Sequence, residues 1–284
     1  MRVLDSHLHL WDPRELDYTW LSGRLDRTFG PDEYRAAADD AGAAERSAIF
    51  VQAECVPTQS VAEVEWVARV GVAAGVCGIV ARVALEETDA TARLAAVRAL
   101  PLVVGVRRLM QDDAAALVDS PAFLAGARSV ADAGLAFDAC VRAHEVPQVT
   151  RLADAVPGLA IVLDHLGKPR VSGAPDPQWR ADLRALAERP QVVCKLSGLP
   201  AEATTASARD RADDAEGWTP AMLMPFLDEA LTAFGPQRLL FGGDWPVSWP
   251  YARWEGLVRA WADTAAPSHV DDIMYGNAAR VYGL

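Results

Sequence analysis

Eight short runs of apolar and β-branched residues punctuate the chain. They are residues 2–9 (RVLDSHLH), 47–54 (SAIFVQAE), 76–85 (VCGIVARVAL), 102–109 (LVVGVRRL), 135–141 (LAFDACV), 160–166 (AIVLDHL), 192–197 (VVCKLS) and 238–244 (RLLFGGD). Their apolar positions are nearly continuous, the pattern of strands covered on both faces in a parallel sheet. Between them lie stretches with helical spacing, rich in alanine. The stretch at 31–42, for example, opens on Pro31 and closes on Gly42, as helices do. Eight strands alternating with helices predict an α/β fold, a (β/α)8 TIM barrel built as a single domain over residues 1–284. A doubly wound open sheet is the alternative. It is disfavoured because no glycine-rich phosphate turn follows the first strand.

Two connections are longer than a barrel needs, residues 10–30 after the first strand and 198–218 after the seventh. Both leave the C-terminal ends of strands, where barrel enzymes build their sites, so each is a candidate lid or a solvated insertion.

Composition narrows the function classes. A net charge of −12 over 284 residues argues against nucleic acid or an anionic membrane as partner. No apolar run reaches the length of a membrane span, and MRVLDSHLHL is too polar for a secretory signal. The four cysteines, Cys55, Cys77, Cys140 and Cys194, are scattered without C-x-x-C spacing and read as free thiols in a reducing cytoplasm. The expectation is a cytoplasmic protein, with its oligomeric state, monomer or homo-oligomer, left open.

The polar residues fall at strand ends. His7 and His9 stand two apart, so in a strand they face the same side, with Cα atoms roughly 6.5 Å apart. Two imidazoles at that spacing can converge on one metal ion, carbonyl oxygen or water. Gln52 and Glu54 share a face in the second run; Arg107 and Arg108 close the fourth. Asp164 and His165 end the sixth, Lys195 and Ser197 share a face in the seventh, and Asp244 ends the eighth beside Trp245. Apolar strands that stop on charged residues around a ring describe the rim of a barrel active site. For Arg108 and Asp164 a solvent-facing strand end is the stronger reading, and His144 and His269 read as surface residues.

The motifs D-x-H-x-H-x-W, VQAEC, GVR, VLDHLGKP, CKLSG, FGGDWPV and GNAARVYGL occur in this order along nearly the whole chain. In this the sequence resembles the amidohydrolase-related family, the lactonase-type branch of the amidohydrolase superfamily. The resemblance implies that His7, His9 and His165 surround a substrate carbonyl or a single divalent metal ion, and that Asp244 activates the attacking water. Two departures stand out. Gly243 replaces a serine common in relatives. The fifth run, FDACV, lacks the histidine, and the fourth lacks the lysine or glutamate, of the two-metal members, so a two-metal site is not expected.

Three imidazoles and a carboxylate suffice for one zinc or manganese ion. Metal-independent polarisation of the carbonyl by the histidines stays open. The expected activity is hydrolysis of a small-molecule lactone, with Asp244 as base. A serine esterase is disfavoured, since no G-x-S-x-G elbow is present. For the substrate, Gln52 and Glu54 suit sugar hydroxyls, and Trp11, Tyr18, Trp20 and Trp245 can stack on a sugar ring or pack the lid. Arg107 and Lys195 suit a carboxylate, as in a pyrone dicarboxylate or muconolactone. The mixture tilts the reading toward a sugar-acid (aldono) lactone. A metal-dependent decarboxylase of an aromatic acid, and a barrel that binds without catalysis, are the rival readings.

Overall fold

The computed structural model describes residues 2–43, 45–203 and 217–284. Eight parallel strands follow one another around a single sheet: β1 (Arg2–Leu8), β2 (Glu45–Val51), β3 (Val76–Arg82), β4 (Val103–Arg107), β5 (Ala136–Ala139), β6 (Ile161–Leu163), β7 (Val192–Leu196) and β8 (Leu239–Phe241). The ring closes where β1 meets the end of β8. Leu8 bridges Trp245 in parallel, the Asp244 N–H donates to the His7 carbonyl at 2.7 Å, and the His9 N–H donates to the Trp245 carbonyl at 2.9 Å. The architecture is the (β/α)8 barrel expected from the alternation.

After the eight strands, in order, come the helices Pro31–Ala38, Ser60–Val70, Ala90–Arg98, Pro121–Asp132, Val146–Ala155, Pro177–Ala187, Pro220–Phe234 and Tyr251–Ala265. Local chemistry sets several starts. The Ser120 hydroxyl accepts from the Phe123 N–H ahead of Pro121, and the Asp176 carboxylate accepts from Gln178 and Trp179 ahead of Pro177.

The apolar residues divide into two layers. The larger packs helices against the outside of the strands. The smaller fills the lower barrel, with Leu4, Ile49, Val51, Val80, Ala136, Val162, Val193 and Leu240, and is plugged from below by Ala278 and Tyr282 of the last helix, Asn277–Tyr282. Above this plug the inward positions turn polar: Asp138 follows Ala136, Asp164 follows Val162, and Lys195 follows Val193. The plug keeps water from the underside of these groups.

β1 departs from the simple strand read from the sequence. Its pairing with β2 slips between Asp5 and Leu8. Below this bulge Leu4 joins the inner layer, and above it Leu8 joins the outer one, which leaves His7 and His9 inward. Without the bulge, a strict two-residue period that turns Leu4 inward would turn both histidines outward.

The long segment after β1 lies across the barrel mouth as a tied flap. Trp11 pairs with Phe29 through an antiparallel bridge, and the Arg24 guanidinium donates to the Pro246 and Val247 carbonyls at 2.9 and 2.7 Å. Of the second candidate lid, residues 204–216 lie outside the described residues. All four cysteines are free thiols. No helix among the described residues is long and apolar enough to cross a membrane.

Candidate active site

Three imidazoles meet one carboxylate oxygen at the C-terminal end of the barrel. The Nε2 atoms of His7, His9 and His165 lie 3.8, 3.7 and 3.8 Å from Asp244 Oδ1. These separations are too long for direct hydrogen bonds. The other carboxylate oxygen, Oδ2, accepts from the Ser248 hydroxyl at 2.7 Å, which fixes the rotamer that turns Oδ1 toward the histidines.

Each histidine is held through its second nitrogen. His9 Nδ1 lies 2.7 Å from the Val51 carbonyl. A carbonyl only accepts, so Nδ1 carries the proton and Nε2 presents a lone pair to the site. His165 Nδ1 pairs with the Ser197 hydroxyl at 2.8 Å. His7 Nδ1 faces both Lys195 Nζ and Asp164 Oδ1, each at 3.2 Å. Burial disfavours the imidazolium, so His9 is pushed down to about 3, and His7 and His165 lie well below the ordinary histidine value. All three are neutral at physiological pH. Burial acts the opposite way on the carboxylate and raises Asp244 to about 7, against the lowering effect of the Ser248 hydrogen bond.

The backbone at the site is strained. Glu54, His165, Leu166, Lys168 and Asp244 all have φ between 49 and 56°. Such values cost a non-glycine residue of order 1 kcal/mol and persist where the surroundings over-determine them. Here they bend the chain sharply at strand ends and aim His165 and Asp244 inward. Asp5 supports this turn from the neighbouring strand: its Oδ1 accepts from the Gly243 N–H at 2.7 Å and the His7 N–H at 3.0 Å.

Beneath the histidines lies a fully buried charge cluster. Lys195 Nζ donates to Asp138 Oδ2 at 2.5 Å and sits 3.1 Å from Asp164 Oδ1, and the Tyr282 hydroxyl donates to Asp138 Oδ1 at 2.8 Å. Arg107 reaches Asp164 Oδ2 at 3.4 Å and the Gln52 carbonyl at 2.6 Å. Burial alone would protonate Asp164, but Lys195 and His7 beside it hold it well below the usual carboxylate range. Burial opposes the Lys195 charge as well, and Asp138 and Asp164 more than restore it.

The residues read from the sequence thus fall into distinct places. His7, His9, His165 and Asp244 converge. Gln52 is buried, and its side-chain amide donates to Glu54, whose carboxylate is partly exposed beside Arg82 at 3.7 Å. Arg107 and Lys195 are buried and engaged by carboxylates, so neither projects into the mouth. Trp11 and Trp245 are buried in an aromatic run through Phe29, with ring centroids 5.2 and 5.4 Å from it, and so wall the site. Trp20 is different: it donates to the Ala53 carbonyl at 2.8 Å and keeps 38% of its surface exposed.

Asp164 corrects the solvent-facing reading, because it is wholly enclosed. The sequence places Ser197 on the rim beside Lys195 without giving it a role, and Asp138 and Ser248 are not among its site residues. Ser197 and Asp138 had a usable signal, since each shares the inward face of its strand with a charged or apolar core position. Ser248 had none, because it lies beyond the strand in a turn.

The donor set fits a single divalent cation. His7, His9 and Asp244 have ligand atoms within 4.8 Å of one another, as do His7, Asp164 and His165. Asp164 Oδ1 lies buried 3.2 Å from His7 Nδ1, the ring nitrogen that must keep its proton when Nε2 of His7 ligates an ion.

A (β/α)8 barrel with this histidine–aspartate cluster at its C-terminal mouth belongs to the amidohydrolase class, and the chain matches the amidohydrolase family over residues 4–284. It is a member of that family. It is 33% identical to an L-fucono-1,5-lactonase of Burkholderia multivorans, over 99% of this chain and 96% of that protein. An L-fucono-1,5-lactonase of Burkholderia ambifaria is 31% identical over 99% of this chain and 95% of its own. An amidohydrolase of Burkholderia multivorans crystallised with zinc superposes with a TM-score of 0.85 at 31% identity, over 100% of both chains.

Proposed function

We propose that this amidohydrolase hydrolyses a sugar-acid (aldono) lactone, with Asp244 as the general base. The observation that carries the reading is the convergence of three neutral Nε2 atoms on one oxygen of Asp244. The names of the two lactonase relatives support the substrate class.

The chemistry follows from the groups in place. As the ionised Asp244 removes a proton from water, the water oxygen attacks the lactone carbonyl carbon, and negative charge moves onto the carbonyl oxygen. When the tetrahedral species collapses, the bond to the ring oxygen breaks and Asp244 returns the proton to the departing alkoxide. The product is the open hydroxy acid, which ionises near neutrality and releases one proton per turnover. A divalent ion held by His7, His9, His165 and Asp244 would polarise the carbonyl and acidify the water when bound. The Val51 carbonyl accepts from His9 Nδ1 and so keeps the His9 lone pair on the site, while Ser197 and the buried cluster engage the other nitrogens of His165 and His7. The aromatic run from Trp11 to Trp245 excludes bulk water from one side of the site, where charge–dipole contacts are then stronger.

At the mouth, the partly exposed Glu54 carboxylate accepts hydrogen bonds from sugar hydroxyls, and the exposed face of Trp20 stacks on the ring. A pyrone dicarboxylate or an aromatic acid needs a free cation for its carboxylates. Arg107 and Lys195, the two cations the sequence offers for that task, are spent on Asp164 and Asp138.

The test is acid release in weakly buffered solution, from chelator-treated protein with and without added zinc or manganese. The panel is sugar-acid lactones, a pyrone dicarboxylate and a muconolactone. Acid from a sugar-acid lactone, abolished in Asp244→Asn, is the expected result. Silence on every lactone, with carbon dioxide released from a carboxylated aromatic, would replace the reading with a decarboxylase.

A further inference from the structure

His7 Nε2 and His9 Nε2 face each other at 3.2 Å inside a buried site. The proton on His9 is committed to the Val51 carbonyl, so His9 Nε2 offers only a lone pair. Two lone pairs at that distance repel. With no cation between the rings, the repulsion is relieved if His7 places its own proton on Nε2 and donates it to His9. Its Nδ1 then becomes an acceptor and needs a donor. The ionised carboxylate of Asp164 cannot serve, but the ammonium of Lys195 lies 3.2 Å away and can.

A cation ligated by both Nε2 atoms reverses the demand. His7 must then clear Nε2 and carry its proton on Nδ1. Lys195 can no longer donate there, and the acceptor in place is Asp164 Oδ1, at 3.2 Å, a buried carboxylate oxygen that also faces Lys195 Nζ. One ring nitrogen thus has a donor and an acceptor at equal distance. Lys195 retains two carboxylate partners, at 2.5 Å (Asp138) and 3.1 Å (Asp164), in either state.

We infer that the buried Asp138–Lys195–Asp164 cluster is a tautomer selector for His7, with Lys195 stabilising the Nε2–H form without an ion and Asp164 the Nδ1–H form that binds one. Lys195 and Asp164 are positioning residues, since they act through His7. The proton count does not change: His7 stays neutral, and one proton exchanges through solvent from one ring nitrogen to the other. The inference rests on the metal-capable site proposed above but not on the lactone reaction. It gives a physical account of how one histidine set remains fully hydrogen-bonded with or without an ion.

The experiment is a long-range proton–nitrogen correlation spectrum of protein labelled with 15N-histidine. His7 is assigned by the signals lost in His7→Gln. Chelator-treated protein is expected to show His7 as the Nε2–H tautomer, and zinc-loaded protein as the Nδ1–H tautomer. Lys195→Met is expected to show Nδ1–H in both. One tautomer in both states of the parent protein would overturn the inference, as would an Nε2–H form that persists in Lys195→Met. If that variant does not fold, the two spectra of the parent decide the matter alone. Substrate is absent throughout, so a failed lactone assay and a failed selector are separate results.

Discussion

The Ser248 hydroxyl donates to Asp244 Oδ2 at 2.7 Å, four residues along the turn, and this is the hydrogen bond that holds the proposed base ionisable in a buried site. Burial raises the Asp244 carboxyl to about 7, and the bond opposes that rise. Removing it in Ser248→Ala should therefore move the acidic limb of the rate profile upward. A neutral hydrogen bond to a charged group contributes about 1.5 kcal/mol, or roughly one pH unit. At pH 6–7 the variant should lose about tenfold in kcat, while at pH 9 it should approach the parent. A pH–rate series on both proteins in the same metal state checks this, and an equal loss at every pH would assign Ser248 a purely structural part.

The same burial gives Asp244 a cost in stability. Its folded value, about 7, lies above the ordinary 3.8, so the native state holds the extra proton between those limits. The linkage sign follows: stability is full below about pH 4, falls as pH rises toward 7, and levels off above. Asp244→Asn has no charge to bury and still offers an oxygen to Ser248. In chelator-treated protein it should match the parent near pH 4 and exceed it above pH 7, by at most about 4 kcal/mol. Thermal melts at several pH values report the difference, and a variant less stable than the parent at pH 8 would contradict it. Activity should be lost at every pH.

The strands and the His7–His9 pair are legible in the sequence because both depend on local pattern, an apolar run and a two-residue period. The bulge between Asp5 and Leu8 is not, since it is a property of how β1 pairs with β2. Asp164 is the clearest case of information that is not local. A lone aspartate at a strand end reads as solvent-facing, and only the arrival of Lys195 from β7 and Arg107 from β4 makes its burial tolerable. Conversely, Arg107 and Lys195 read as substrate cations because the carboxylates that neutralise them lie 57 and 31 residues away in sequence for Asp164, and 57 for Lys195 and Asp138. The metal-capable cluster was readable because the motifs place each of its members at a strand end.

Gly243 also becomes intelligible in the structure. A Cβ there would lie 2.3 Å from the Tyr251 ring and 2.6 Å from Asp5 Oδ2. Tyr251 thus takes the space that a serine side chain would need, and Asp5 needs its close approach to anchor the Gly243 N–H. Gly243→Ala should cost about 1–3 kcal/mol through overpacking. Because Asp244 is the next residue, kcat should fall as well. Melting temperature and turnover measured together are the check. Unchanged values for both would mean that Tyr251 has room to move aside.

A bound ion must stabilise the protein it binds, because the ligand set exists only in the folded chain. His7 and His9 come from β1, His165 from the turn after β6 and Asp244 from the end of β8, so unfolding scatters them. The gain follows mass action, about 2.7 kcal/mol when free metal is a hundredfold above its dissociation constant. For a protein of this size, that is a rise in melting temperature of several degrees. Chelator-treated protein titrated with zinc should show the rise, His9→Asn should lose most of it, and His144→Ala, which alters an exposed histidine outside the cluster, should keep it. A zinc-dependent shift that survives His9→Asn would place the ion elsewhere, and the absence of any shift would favour carbonyl polarisation by the histidines themselves.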